Sequence, residues 1–191
     1  MSVCVVIYGP PGAGKSALAA RLAERTRWPL LAKDAYKELV FEHLGARDRD
    51  WSRRVSALAW ALLISEAHRL LGAGAACIVE GNFRERELGA LGAPAAPRAA
   101  RFVAIRMSAR PEVLIARYRA RAAVGNRHAG HADLEALPEI ERELATPPPP
   151  AGLGGPLIDW DTSDGFATDA LEAALEAALA GLSAPASGTR G

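Results

Sequence analysis

An open parallel α/β sheet covered by helices on both faces is the fold class this sequence predicts, on three observations. Short apolar runs alternate with helix-like segments along nearly the whole chain. The first run, Val3 to Tyr8, passes directly into Gly9-Pro10-Pro11-Gly12-Ala13-Gly14-Lys15-Ser16, and that glycine-rich loop leads into a helix. The 191 residues are 50% hydrophobic, enough for one sizeable core and too little for two.

The elements follow in chain order. Val3 to Tyr8 is the first strand, and Lys15 to about Thr26 is the helix behind the loop. Pro29-Leu30-Leu31-Ala32 reads as a short second strand ending at Lys33-Asp34, followed by a helix from Ala35 to about Leu44. A long helix spans about Trp51 to Leu71, with Val55, Leu58, Leu62 and Leu70 on a shared face and Gly72-Ala73-Gly74 as its stop. Cys77-Ile78-Val79 is a buried strand ending at Glu80-Gly81-Asn82, and Arg84 to Leu91 a short helix. The fourth strand is Phe102 to Arg106. Pro111 opens a helix through Ala122, since proline fits the first turn. The segment Val124–Ala132 is polar and Gly- and His-containing, as a mobile loop would be; Asp133 to Leu144 is a short helix, and Thr146 to Gly152 a stiff proline linker. Leu157 to Trp160 is the last strand, and Leu171, Leu175, Leu179 and Leu182 stripe a closing amphipathic helix. The expected organisation is one domain over residues 1–183 with a lid at about 117–133, then a disordered tail over 184–191.

Composition excludes several classes. Lys+Arg (23) and Asp+Glu (22) nearly cancel to a net +1, which weighs against a protein that lives on nucleic-acid backbone. Cys4 and Cys77 lie in apolar strand-like runs with no metal-ligand spacing, so both read as free core thiols in a reducing compartment. The first apolar run has no basic segment before it and is used by the strand, so it is not read as a signal peptide. The longest low-charge stretch, Val55 to Ser65, is too short to cross a bilayer. The expectation is a soluble, cytoplasmic protein with no membrane partner.

The loop at residues 9–16 carries the chemistry. Its glycines let successive N–H groups curl around a phosphate, and the following helix adds its positive end. Gly9, Gly12, Ala13, Gly14, Lys15, Ser16 and Ala17 are the expected nucleotide contacts, with Lys15 reaching the β- and γ-phosphates and the Ser16 hydroxyl joining a Mg²⁺ shell. In a parallel sheet, ligands gather outside the carboxyl ends of the strands. Lys33-Asp34, Glu80-Gly81-Asn82 and Asp161-Thr162-Ser163 should therefore face one crevice with the loop. Asp34 is the candidate base for an acceptor hydroxyl, or else the N-cap of the helix from Ala35. Glu80 is the candidate acid near Mg²⁺, or a substrate contact. Asn82 and Arg84 are candidate substrate donors.

A second cluster runs from Arg117 through Tyr118, Arg119 and Arg121 to Arg127, His128 and His131. Arg117 and Arg121 are four apart and share a helix face. With Arg127 they are expected to act as lid cations that hold charge on a transferring phosphoryl group. Arg119, on another face, reads as a solvated surface residue. His128 and His131 lack the further ligands of a metal site and read as loop contacts.

These pieces resemble the zeta-toxin, chloramphenicol-phosphotransferase and polynucleotide-kinase branch of P-loop kinases, often described as AAA-family ATP-binding proteins. The likeness is carried by the loop at residues 9–16, by Lys33-Asp34-Ala35-Tyr36-Lys37, and by the arginines between Arg117 and Arg127. It implies a P-loop NTPase fold resembling the nucleoside monophosphate kinases, with a five-stranded parallel sheet and an Arg-rich lid. It implies Asp34 as the acceptor-activating base, Lys37 as a contact to a substrate phosphate, and Val79 to Phe83 as the third-strand acidic segment. ATP is the donor implied, with Mg²⁺.

The function expected is transfer of the ATP γ-phosphate to a hydroxyl of a small molecule: an antibiotic, a nucleoside or a sugar nucleotide. Residues from Tyr36 to about Trp60 are the expected acceptor region, where Trp51 or Trp60 could stack on a ring or serve the core. Two alternatives remain at this level. One is a polynucleotide 5′-hydroxyl kinase, favoured by Lys37 and disfavoured by charge balance. The other is a nucleotide-dependent switch that phosphorylates no acceptor.

Overall fold

Successive side chains of the inner strands are buried on opposite faces of the sheet, and that alternation sorts the helices onto two faces. The computed structural model describes residues 2–93, 100–124, 128, 131, 138, 140–141, 144, 148–165 and 168–183. Its strands are β1 (Val3–Tyr8), β2 (Leu30–Ala32), β3 (Cys77–Gly81), β4 (Arg101–Ser108) and β5 (Leu157–Asp161). They form a five-stranded sheet in the order β2-β3-β1-β4-β5, and every pairing is parallel. The helices are α1 (Lys15–Thr26), α2 (Lys33–Leu44), α3 (Arg49–Gly72), α4 (Glu85–Leu91), α5 (Pro111–Val124) and α6 (Thr168–Ser183). The fold is that of a P-loop NTPase, as the sequence predicts.

Val5 and Ile7 of β1, with Ile78, Val103 and Ile105, pack against Leu18 and Leu22 of α1, Leu114 of α5 and Leu171 and Leu175 of α6. Cys4, Val6 and Tyr8, with Cys77, Val79 and Ala104, face the other way onto Leu63, Ala67 and Leu71 of α3 and Leu88 and Leu91 of α4. Each buried Val, Leu or Ile contributes roughly 1.5–3 kcal/mol. A single register slip would exchange the two faces. Cys4 and Cys77 are register partners, both buried, and both free thiols.

The observed α3 departs from the expected face. Its buried stripe is Ser52, Val55, Ala59, Leu63, Ala67 and Leu71, whereas Leu58 and Leu62 are 45% and 42% exposed. Small Ala59 and Ala67 let the helix sit close to the sheet, and the bulkier leucines fall outside that seam. The helix also starts two residues earlier than expected, at Arg49, because the Asp48 carboxylate accepts the Trp51 N–H at 2.8 Å. α2 starts at Lys33, with Ala32 at the cap position, so Asp34 lies inside the first turn and does not cap a helix from Ala35. β3 continues through Glu80 to Gly81, and β4 runs on to Ser108. Of the expected Asp133–Leu144 helix, Pro138, Ile140, Glu141 and Leu144 are described, and each is helical. Arg127 and residues 184–191 lie outside the described residues.

Candidate active site

The loop between β1 and α1 gets its shape from its glycines. Gly9 has φ 145° and Gly14 φ 88°, both in the left-handed region that side chains disfavour. A Cβ on Gly9 would lie 2.1 Å from the Met107 carbonyl oxygen, so the loop runs hard against the end of β4. Gly14 occupies the cap position of α1, whose first turn holds no acidic residue. The helix therefore presents its positive end with no acid of its own first turn to oppose it, and Lys15 and Ser16 lie in that turn. Lys15 is buried, and its ammonium donates to the Pro10 carbonyl at 2.9 Å.

Glu80 enters from β3, where register places it beside Ile7 of β1 and Ala32 of β2. It is 5% exposed, and the Ser16 hydroxyl donates to its Oε2 at 3.3 Å. Burial pushes its carboxyl above the ordinary range; nearby Lys15 opposes that shift, and Asp34 adds to it. A hydroxyl and a carboxylate in contact beside a phosphate-binding loop are hard oxygen donors of the kind Mg²⁺ takes together with nucleotide phosphates. The residues present fit that ion.

Asp34 stands two residues beyond Ala32 and remains half-exposed. The Lys33 ammonium lies 3.2 Å from its Oδ1 and 3.4 Å from the Ser56 hydroxyl. Lys37, one turn further along α2, is 5% exposed and holds its ammonium 5.3 Å from the Phe41 ring centre. A cavity of about 300 Å³ joins these groups. Its floor is Lys15, Ser16 and Glu80, and Asp34, Lys37, Asn82, Arg84 and Arg121 also line it.

The expected Tyr36–Trp60 region and the strand-end Lys33 do line the cavity, through residues the sequence did not single out within that region. Arg49, Ser52, Arg53 and Ser56 of α3 and Lys33 of α2 line the cavity. Helical spacing on α3 was the available signal, but the wall exists only because α2 and α3 pack together beside the strand ends. Trp60 also lines it. Its ring meets Phe83 edge-on at 4.5 Å, and a Cβ on Gly81 would come 2.6 Å from it. Trp51 instead donates its indole N–H to the Gly45 carbonyl at 2.9 Å, outside the cavity.

The arginine cluster divides. Arg121 lines the cavity, its guanidinium 5.2 Å from the Tyr118 ring centre. Arg117 turns to the back of the phosphate loop, donating to the Thr162 carbonyl at 2.7 Å, the Thr162 hydroxyl at 3.0 Å and the Gly12 carbonyl at 3.4 Å. Thr162 is fully buried and donates in turn to the carbonyls of Ser108 and Ala13. Arg119 pairs with Glu141 at 2.7 Å on the exposed side. His131 sits 2.7 Å from the Glu38 carboxylate, and His128 stacks on Phe41 at 5.3 Å, so both histidines touch α2. Among the described residues no group of three or more His, Cys, Asp or Glu could hold a metal, and no helix is long and apolar enough to cross a membrane.

Fold and loop together define a P-loop protein of the kinase-like kind. The sequence profile of the AAA domain family matches residues 4–147, and the chain belongs to that family. It is 35% identical to a candidate kinase from Chloroflexus aurantiacus J-10-fl, a likeness that covers 93% of this chain and 98% of that one with a TM-score of 0.79. A gluconokinase from Sinorhizobium meliloti 1021 shares the fold at 20% identity, over 94% of this chain and 91% of that one, with a TM-score of 0.51. A sugar kinase from Janibacter sp. HTCC2649 does so at 19% identity, over 92% of each chain, also at 0.51. No curated protein matches the chain.

Proposed function

We propose that the protein is an ATP-dependent phosphotransferase that moves the γ-phosphate to a hydroxyl group of a small molecule. The observation that carries this reading is a single cavity that joins the phosphate loop to the half-exposed carboxylate of Asp34. The AAA domain family and the candidate kinase from Chloroflexus support the same class. A half-exposed carboxylate in the same cavity as the phosphate loop favours transfer to an acceptor over a switch.

In this mechanism the backbone N–H groups of Gly12 to Ala17 hold the β- and γ-phosphates, and the Lys15 ammonium turns from the Pro10 carbonyl toward them. Mg²⁺, held with the nucleotide by Ser16 and Glu80, would supply neutralisation of charge on the phosphate oxygens. Asp34 orients the acceptor O–H and takes its proton. The acceptor oxygen bonds to the γ-phosphorus as the bond to the β–γ bridging oxygen breaks, and ADP leaves with that oxygen. Arg121 offers a guanidinium to the charge that spreads over the transferring group. Arg117 acts as a positioning residue, holding the Gly12 carbonyl and Thr162 behind the loop. Arg127 is proposed as a further lid cation, and Asn82, Arg84 and Lys37 as acceptor contacts. The finer kinship, to the zeta-toxin, chloramphenicol-phosphotransferase and polynucleotide-kinase branch, belongs to the same proposal.

The test is transfer of labelled γ-phosphate from MgATP to a panel of small alcohols and to a 5′-hydroxyl oligonucleotide, for the native protein and Asp34→Asn. Labelling of a small alcohol that depends on Asp34 supports the reading. Labelling of the oligonucleotide alone, weakening steeply with salt, would replace the small molecule by a polynucleotide end. ATP binding with no transfer to any acceptor would favour the switch.

A further inference from the structure

The phosphate loop is gripped from the side that faces away from the cavity. Pro11, Lys15 and Ser16 line the cavity; Thr162 and Arg117 do not, although both touch the same loop. The backbone of α5 also lies close behind it, since a Cβ on Gly12, at φ 85°, would come 3.0 Å from the Leu114 carbonyl oxygen. Thr162, the first residue after β5, is fully buried. Its N–H donates to the carbonyl of Ser108, the last residue of β4, at 2.8 Å. Its carbonyl accepts Nη2 of Arg117 at 2.7 Å, and its hydroxyl accepts Nη1 at 3.0 Å. The hydroxyl proton has two carbonyls in reach, Ser108 at 3.1 Å and Ala13 at 3.3 Å. The tie to β4 is already made by the N–H. The reach to Ala13 joins the end of β5 to the phosphate loop.

A trans peptide unit points its C=O and its N–H in opposite directions. Arg117 Nη1 also lies 3.4 Å from the Gly12 carbonyl, so the carbonyls of Gly12 and Ala13 are both drawn to the far side. The N–H groups of the same two peptide units, those of Ala13 and Gly14, are thereby turned to the concave side of the loop. The Ala13 N–H donates across the loop to the Pro10 carbonyl at 3.3 Å, the oxygen that also accepts the Lys15 ammonium. Two donors thus converge on one oxygen, as they would on an oxygen of a bound phosphate.

We propose that the Thr162 hydroxyl is a positioning group for the nucleotide phosphates. With Arg117 it fixes the peptide units after Gly12 and Ala13 so that their N–H groups face the phosphate position before a nucleotide arrives. The ordering is then done in folding, and binding is strengthened because no peptide has to turn. This rests on the phosphate-loop half of the proposed function and not on transfer to an acceptor.

The test is calorimetric titration of MgADP into the full-length native protein, Thr162→Val and Thr162→Ser. Valine keeps the shape and removes the hydroxyl; serine keeps the hydroxyl and removes a buried methyl. Thr162→Val should bind MgADP about tenfold more weakly, the worth of one backbone-directing hydrogen bond. Thr162→Ser should bind within about twofold of native. Urea denaturation of all three separates this from a structural role, for which affinity would follow stability and not the hydroxyl. Arg117→Met frees the Gly12 carbonyl from the helix side and should weaken MgADP similarly, which decides the matter if Thr162→Val does not fold. Native-like MgADP binding by Thr162→Val or by Arg117→Met, or an equal loss in Thr162→Ser, would overturn the proposal. Failure of the native protein to bind MgADP would overturn it together with the nucleotide reading. Affinity that follows the hydroxyl, in a protein that passes no γ-label to any acceptor, would overturn the phosphotransferase reading and leave the role of Thr162 standing.

Discussion

The two ends of the cavity are built from different materials. The donor end is backbone: a glycine loop with left-handed torsions, a helix terminus without acids, and one lysine. The other end, the acceptor end in the proposed reaction, is side chains projected at helical spacing from α2 and α3 across a gap that only tertiary packing defines. The difference teaches where specificity can change. A backbone cradle tolerates little substitution and serves any nucleoside triphosphate. A wall of Arg49, Ser52, Arg53 and Trp60 can be rewritten residue by residue with the loop left intact.

The sharpest way to break that comparison is to remove one charged group from each end. Lys15→Ala should abolish transfer and weaken MgATP binding. Asp34→Asn should lower transfer about 10²–10⁴-fold with MgATP binding retained, the range of a positioned base. Calorimetric MgATP titration beside the transfer assay separates the two. Equal loss of nucleotide affinity in both variants would move Asp34 to the donor end.

Gly9→Ala comes next and acts through the fold. The added Cβ meets a backbone oxygen at 2.1 Å on a residue with φ 145°, and neither atom has a flexible side chain to yield. Strain and overpacking together should cost about 2–5 kcal/mol. Urea denaturation measures it. A change below about 0.5 kcal/mol would mean that the loop does not press on Met107, and so is not the rigid half of the comparison.

Glu80 lies where the two ends meet, and its titration offers a subtler probe. Burial raises its carboxyl pKa, so the folded chain holds the proton more tightly than the unfolded chain does. Its contribution to stability is therefore complete below the ordinary carboxylate pKa and declines as pH rises through the raised value. Glu80→Gln keeps the shape and removes that loss. The variant should melt higher than the native protein at pH 7, and the gap should close toward pH 4. It should also need more Mg²⁺ for transfer. A melting temperature that falls at pH 7 would show that the Ser16 and Lys15 contacts outweigh burial.

Legibility in the sequence follows the same division. The boundaries of β1 and α1 are readable to the residue, because glycine, lysine and serine at fixed offsets define backbone shape directly. The strands are readable as apolar runs, though Glu80 hides the end of β3: a buried carboxylate at a strand terminus looks like the first loop residue. The face of α3 is not readable, since Leu58 and Leu62 are the more hydrophobic choice and Ala59 and Ala67 the better fit to a nearby sheet. Arg49 and Arg53 lie within the expected Tyr36–Trp60 region but are not singled out by it, for a related reason. Two arginines in the first turns of a helix look like solvated surface until α2 supplies the opposite wall. Arg117 shows the reverse case, since helical spacing pairs it with Arg121 while packing sends it behind the loop to Thr162.

The smallest expected effect tests whether charge near the site is enough to matter. Arg119 lies between Arg117 and Arg121 in sequence, yet it points outward, 61% exposed, with Glu141 as partner at 2.7 Å. An exposed pair of this kind is worth about 0.2–1 kcal/mol and is screened by salt. Arg119→Ala should therefore leave transfer within about twofold of native and shift stability by no more than the worth of such a pair. Steady-state kinetics reads the first, and urea denaturation at two salt concentrations reads the second. A tenfold fall in kcat would mean that the segment carrying Glu141 moves with catalysis and that the surface pair reports on it. The donor and acceptor ends would then be joined through α5 as well as through Glu80, and the division between them would hold only for the resting structure.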